Sequence, residues 1–513
     1  MHKHLKSWLL EYKWLIILCV FAVIVRLPQP LTDTIAFRFD HGKDSVAILH
    51  LIKTWKPALI GPWTSIPGLY FGPGWYYLLA PAFILSGGHP VAPVYLMMGL
   101  IIVQILLAER YLGKLEAIAI ACAPLWLIIS SSAWNPFPMT LLSLLILIAL
   151  QQVRKRKKLT IKLAIILGLS AGFGFHFSTA FAIFYPPIIA LSLLLRRVKL
   201  NWKAVLVLLI AFALPFMPQA LFEVRHQFLE THAVINYLVE GRKQEASGAT
   251  KVTDVLMTIM NESKLAILPE IWTPMAGVNQ LISLLNAILL GAGVVLMVIK
   301  RKLPKNWLEI LLFFIIPIPG FFLLHFNLWY ILGLIPAGLL FCMFAIRQLP
   351  KQLQYFFVFL MLLTPISLAA RFFSERPALN ANTSLLPVKL QAISEVRKRA
   401  NGQPFASYQY VPDIYDYAYQ YLYMYQGFHG QQLPTEFSYK PGETAYILEK
   451  PELMAKLGSV TPTQAPVMIF YIVESADYDD FLKSWWGDQR YDQIVDSFKV
   501  GENVTVYQAT PRK

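Results

Sequence analysis

The stretch "MTLLSLLILIALQQVRKRKKLTIKLAIILGLSAGFGF" (139–175) decides the fold class. An apolar run leads into "VRKRKK" (153–158), five of whose six residues are basic, and a second apolar run follows. A bilayer core takes roughly 17–25 apolar residues in a helix. Two apolar runs, each slightly short of that length, around a short Lys/Arg-rich loop are the pattern of a hairpin through a membrane, with the loop on the cytoplasmic side.

The same pattern repeats along the 513 residues. The chain is 56% hydrophobic and 15% charged, with a mean hydropathy of +0.52; soluble domains carry about 25% charged residues. Candidate spans are 14–27, 90–108, 114–130, 137–152, 160–174, 177–195, 203–222, 278–299, 307–324, 327–346 and 353–371, about eleven in all. "ERYLGK" (109–114), "RRVKLNWK" (196–203), "KRKLPK" (300–305) and "RQLPK" (347–351) are basic, whereas "SSSAWNPFP" (130–138), "GFGFHFS" (172–178) and "LHFNLWY" (324–330) hold no Lys or Arg. The net charge of +15 therefore sits in short loops, which speaks for membrane orientation and against a nucleic-acid partner. The N-terminus is expected in the cytoplasm, and an odd number of spans puts the C-terminal segment outside. The first apolar run ends at Arg26-Leu27-Pro28 without a small-residue cleavage site, so it reads as a retained span.

"GPGWYYLLAPAFILSGG" (72–88) is too short to cross and fits an interfacial helix, with Trp75, Tyr76 and Tyr77 as its aromatic belt. Residues 28–89 and 223–277 are then external loops of a transmembrane domain, 1–375. From 376 to 513 the composition turns polar. "LPVKLQAISEVRKRA" (386–400) predicts a helix, "VMIFYIV" (467–473) a strand, "DYDDFLKSWW" (477–486) a helix and "VTVYQAT" (504–510) a closing strand. An extracytoplasmic α/β domain is expected. Cys19, Cys122 and Cys342 lie in apolar runs, where they read as small core residues.

The densest knot of charge is "FRFDHGKDSVAILHL" (37–51), just after the first span. If helical, it puts Asp40 and Asp44 on one face. An acidic pair beside a bilayer is compatible with an inert solvated loop, a cation site, or a general base.

Here the sequence resembles a known family. "FDHGKDSVAI…LIGPWTSIPGLYFGPGWYYLLAP" (39–81) is similar to the first external loop of bacterial membrane glycosyltransferases of the GT-C superfamily, near the protein O-mannosyltransferases and lipid A aminoarabinose transferases. "SSSAWNPFP", "LFEVRHQF" (221–228) and "HFNLWYILGLIP" (325–336) follow in the family's order. The resemblance implies a polytopic α-helical, GT-C-like fold with a C-terminal external domain. It implies an inverting, mannosyltransferase-like transfer of a sugar from a polyprenyl-phosphate donor to an acceptor hydroxyl at the outer face of a bacterial cytoplasmic membrane. The acceptor is a protein, lipid or glycan.

By the same resemblance Asp40 is the catalytic base and Asp44 the second acid, with Lys43 where relatives carry a basic residue, often Arg. Arg225 and His226, just past a span, are candidate lipid-phosphate contacts. His325, Tyr330, Tyr76, Trp134 and Asn135 are further candidate substrate contacts. No His/Cys/Asp/Glu cluster has firm ligand spacing, so no metal or other cofactor is expected; a divalent ion is compatible with Asp40, His41 and Asp44, but the chemistry does not require it. The alternatives are a flippase or transporter of lipid-linked sugars, and a polymerase or ligase using a lipid-pyrophosphate donor.

Overall fold

A computed structural model describes residues 12–240, 253, 255–259, 267–323, 326–376, 381–413, 415–443, 446–458, 464–474 and 479–512. Packing divides the chain into two compact units. One comprises Met1–Leu27, Ala58–Trp75 and Met97–Arg371; the other comprises Pro28–Pro57, Tyr76–Leu96 and Phe372–Lys513.

The first unit is helical. Among the described residues, four helices are long and apolar enough to cross a membrane: Ala92–Tyr111, Trp202–Arg225, Ala276–Ile299 and Lys351–Glu375. Other predicted spans appear as shorter or broken helices. The run 114–130 divides into Lys114–Cys122 and Pro124–Ile128, and 327–346 into a 3₁₀ segment Leu328–Gly333 and the helix Ile335–Ile346. Proline has no N–H and clashes with the preceding turn, so it starts a helix more readily than it continues one. Helices Ile161–Gly174 and Trp202–Ala213 meet at Gly168 and Gly172, where an added Cβ would lie 2.5 Å from the Leu208 carbonyl and 2.4 Å from that of Phe212. Small residues four apart let membrane helices approach in this way.

The second unit contains a five-stranded sheet: β1 (Phe405–Tyr410), β2 (Glu436–Ser438), β3 (Met468–Glu474), β4 (Ile494–Val500) and β5 (Val504–Ala509), in the order β2-β1-β3-β5-β4. β1 pairs in parallel with β2 and β3, while β5 runs antiparallel to β3 and β4. Tyr408, Tyr410, Ile469, Tyr471, Val473 and Trp485 form a core on one face. Helices Leu386–Ala400, Tyr417–Phe428, Lys450–Leu457 and Asp479–Gly487 accompany the sheet. The predicted elements at 386–400, 467–473 and 504–510 are present, as is the predicted helix of 477–486 from Asp479 onward; 477 and 478 lie outside the described residues. β1, β2 and β4 are additions.

This unit also takes in Pro28–Pro57 and Tyr76–Leu96, most of the stretch 28–89 that the sequence reads as an external loop of the transmembrane part. The cause is an aromatic and glycine-lined face. Phe37 and Phe83 both meet the Tyr421 ring, Phe39 meets Tyr417 edge-on at 5.4 Å, and the Tyr421 hydroxyl donates to the Gly88 carbonyl. Ala36 bridges to Leu385, and the Phe37 N–H donates to the Ser384 carbonyl at 2.8 Å.

Candidate active site

The stretch with the charge knot is the helix Phe39–Thr54. Asp40 lies in its first turn and Lys53 in its last, each matching the helix dipole, and Trp55 ends it with a left-handed φ of 58°. A helix start leaves N–H groups without partners. Here the Phe39 N–H donates to the Asp413 carboxylate at 3.3 Å, and the Arg38 N–H donates to His41 Nδ1 at 3.3 Å. Accepting at Nδ1 suits a neutral imidazole. Burial pushes the His41 pKa down to about 4, against the pull of Asp40 and with the help of Arg38.

The helix pitch puts Asp40, Lys43 and Asp44 on one face. Lys43 Nζ lies 3.2 Å from Asp40 Oδ1 and 4.0 Å from Asp44 Oδ1. The three differ in access. The Asp40 side chain is 43% exposed, whereas those of Lys43 and Asp44 are 8% and 7% exposed. Asp40 is thus the group of the three best able to meet a substrate hydroxyl. The lysine ammonium stands between the two carboxylates.

Tyr76 belongs to the same unit. Burial holds its phenol protonated, with a pKa well above the usual tyrosine value, and Asp44, Glu449, Tyr417 and Asp40 add to the effect in that order. The stretch 72–88 forms the helix Gly74–Ser86. Its aromatic belt does not face outward as expected. Trp75 is fully buried against Phe177 and Tyr76 is buried, so only Tyr77 of the three is exposed.

Gly42 sets the depth of the Asp40 helix. An added Cβ there would lie 2.4 Å from the Ala418 nitrogen and 2.5 Å from the Tyr417 carbonyl carbon. Lys56 and His50 hold the other end through Glu452, at 2.7 and 2.9 Å. The C-terminal segment therefore supports the candidate base through Asp413, Ala418 and Glu452. None of these was among the sequence candidates, and no local pattern marks them.

The transmembrane unit holds the other candidates in two groups. Arg225 ends the helix Met217–Arg225 and is exposed; His226 stacks on Phe222 at 4.1 Å and donates from Nδ1 to its carbonyl. Nearby, the backbone of Tyr70 is held on both sides: its N–H donates to Glu230 at 2.9 Å and its carbonyl accepts from Gln219 at 3.3 Å. Trp134 packs edge-on to Trp329 at 5.2 Å, and Trp329 in turn on Tyr330. The two tryptophans line an apolar cavity of about 360 Å³ with Glu270 on its wall. Asn135 is buried and donates to the Phe177 carbonyl at 2.9 Å. The helix after it starts at Met139, with Pro136 and Pro138 in the preceding turns. His325 lies outside the described residues.

His176, in the loop "GFGFHFS", is not among the candidates that the sequence offers. It is buried, accepts from the Gly74 N–H at Nδ1 (2.8 Å) and donates from Nε2 to the Pro215 carbonyl at 3.0 Å. It anchors the start of the helix that carries Tyr76. Among the described residues, no group of three or more His, Cys, Asp or Glu side chains is arranged to hold a metal.

Compared with solved structures, the chain aligns over 98% of its own length and 100% of the length of ArnT from Cupriavidus metallidurans bound to undecaprenyl phosphate, with a TM-score of 0.59 and 11% identity. The chain has the ArnT fold. The apo state of the same ArnT gives a TM-score of 0.59 at 12% identity over the same shares. No family model and no curated protein matches in sequence. The ArnT-like architecture here comprises a polytopic helical part and a C-terminal sheet domain, with the Asp40 helix packed into the unit that contains the sheet.

Proposed function

We propose that the protein is a membrane glycosyltransferase that takes a sugar from a polyprenyl-phosphate donor and passes it, with inversion, to an acceptor hydroxyl at the outer face of a bacterial cytoplasmic membrane. The observation that carries this reading is the full-length likeness to ArnT, a protein solved with undecaprenyl phosphate bound. The accessible carboxylate of Asp40 beside Lys43 and Asp44 supports it independently. The outer-face orientation rests on the basic loops at 153–158, 196–203 and 300–305.

In this reaction Asp40 accepts the proton of the acceptor hydroxyl as its oxygen forms a bond to the anomeric carbon. The bond from that carbon to the phosphate oxygen breaks, and its electron pair leaves with the lipid phosphate. Lys43 tempers the charge of both carboxylates and keeps Asp40 directed. Asp44 holds Lys43. Arg225 and His226, at the end of a span, are assigned to the lipid phosphate, where Arg binds bidentately. Trp134 and Tyr330 are assigned to the isoprenoid, on the strength of the apolar cavity beside Trp134 and Trp329.

The test is transfer from synthetic lipid donors by purified protein, comparing a polyprenyl-monophosphate sugar with its pyrophosphate counterpart. Preference for the monophosphate supports the proposal. Preference for the pyrophosphate supports a polymerase or ligase instead. Movement of the donor across a liposome bilayer without transfer supports a flippase.

A further inference from the structure

The helix Ala276–Ile299 is apolar enough to span a membrane, yet its first half carries Asn279, Gln280, Ser283 and Asn286. Positions 279, 283 and 286 recur at helical spacing and share a face. Leu281, Leu284, Leu285 and Ile288 are exposed on other sides, so the polar stripe is turned toward protein. Polar side chains inside a span are costly and face the bundle interior or a cavity.

A cavity of about 410 Å³ lies against this stripe, within the ordinary range of ligand pockets, about 300–1,000 Å³. Its opposite wall is the irregular segment 268–273. Non-helical backbone at such a place needs partners for its polar groups. Asn286 Nδ2 donates to the Pro269 carbonyl at 2.8 Å, Thr364 accepts from the Glu270 N–H at 3.1 Å, and Ser367 accepts from the Trp272 N–H at 3.2 Å. The wall is therefore built and fixed.

One atom in it is not satisfied. Asn286 is fully buried, and its Oδ1 has no hydrogen-bond partner among the described residues. The amide cannot turn over, because that would set two oxygens against each other at Pro269. A buried orphan acceptor costs about 1–3 kcal/mol, and a ligand donor removes that cost.

We infer that this cavity is a binding site for a neutral, hydroxyl-rich saccharide unit. The lining offers amides and a hydroxyl, both donor and acceptor, from Gln280, Ser283 and Asn286. Sugar hydroxyls match such groups on both counts. The lining carries one acid, Glu270, and one base, Arg371, so neither sign of charge prevails, and Trp272 supplies a flat apolar surface for the C–H face of a ring. The inference concerns binding and does not depend on the transferase reading.

The test is saturation-transfer NMR on the full-length protein in detergent, with the methyl glycosides of glucose, galactose, mannose, arabinose and N-acetylglucosamine as probes. At least one should receive saturation from the unaltered protein. Asn286→Leu should lower it at least about fivefold, the loss expected for one or two hydrogen bonds. Asn286 also ties down Pro269, so the double variant Gln280→Ala/Ser283→Ala is the control that leaves this tie intact. It too should lose the signal while its melting temperature stays unchanged. No transfer to any glycoside, or equal transfer in the unaltered protein and the double variant, would overturn the site.

Discussion

Gly42 and Ala418 lie backbone against backbone, 376 positions apart in sequence, with no room for a methyl group between them. The helix bearing the candidate base is thereby seated on the C-terminal segment. Gly42→Ala places its Cβ 2.4–2.6 Å from three backbone atoms, which cannot move aside as a side-chain tip can. The expected cost is about 1–3 kcal/mol, the usual range for overpacking. A lower melting temperature together with impaired transfer checks this; an unchanged melting temperature speaks against the close seat.

Asp413 acts on the same helix from outside it. Its carboxylate accepts the Phe39 N–H at the helix start, next to Asp40. Asp413→Ala should cost about 1 kcal/mol, as loss of an N-cap does. Asp413→Asn keeps an acceptor and should restore most of the stability. Thermal unfolding of the two variants separates capping from a general loss of charge.

A third prediction concerns pH. Glu230 is buried against the Tyr70 backbone, and burial raises its pKa from 4.5 to about 7, with the neighbouring Glu223 adding to the rise. Between those values the folded chain binds more protons than the unfolded one. The contribution is complete below about pH 4.5 and is lost as pH rises through about 7. Glu230→Gln should remove this dependence and resist heat better than the unaltered protein at about pH 8. Melting curves from about pH 5 to pH 8 decide it; parallel curves for the two proteins would contradict the assignment.

Inside the C-terminal segment, Lys389 and Glu474 form an ion pair at 2.5 Å with each side chain 2% exposed, and Glu474 also accepts from the Tyr419 hydroxyl. Removing one partner strands a buried charge. Lys389→Met or Glu474→Gln alone should cost about 3–5 kcal/mol, and the pair together less than the sum. A double-mutant cycle by chemical unfolding measures the difference.

Much of the architecture could be read from the chain. Apolar runs separated by basic loops announce the helices, four of which, among the described residues, are long and apolar enough to span, and strand-like "VMIFYIV" and "VTVYQAT" fall on β3 and β5. The face shared by Asp40, Lys43 and Asp44 follows from their spacing once the stretch is helical. What escaped is long-range. Ala418, Asp413 and Glu452 have no local signature, because their effect depends on which distant backbone they meet. β4 is mostly exposed, and without a buried face it shows no clean alternation. Trp75 reads as an interface aromatic by composition, yet Phe177, about a hundred positions away, buries it. The stripe at 279–286 was legible as spacing, but an apolar span masks it by weight of leucines.

The most direct test of the central claim is sugar transfer from a polyprenyl-phosphate donor by the purified protein and by Asp40→Asn. That change keeps the shape and removes the base. The prediction is transfer by the unaltered protein and a fall of about 10²–10⁴-fold in a variant that melts at the same temperature, the range for loss of a general base. Equal rates in both would contradict the role given to Asp40.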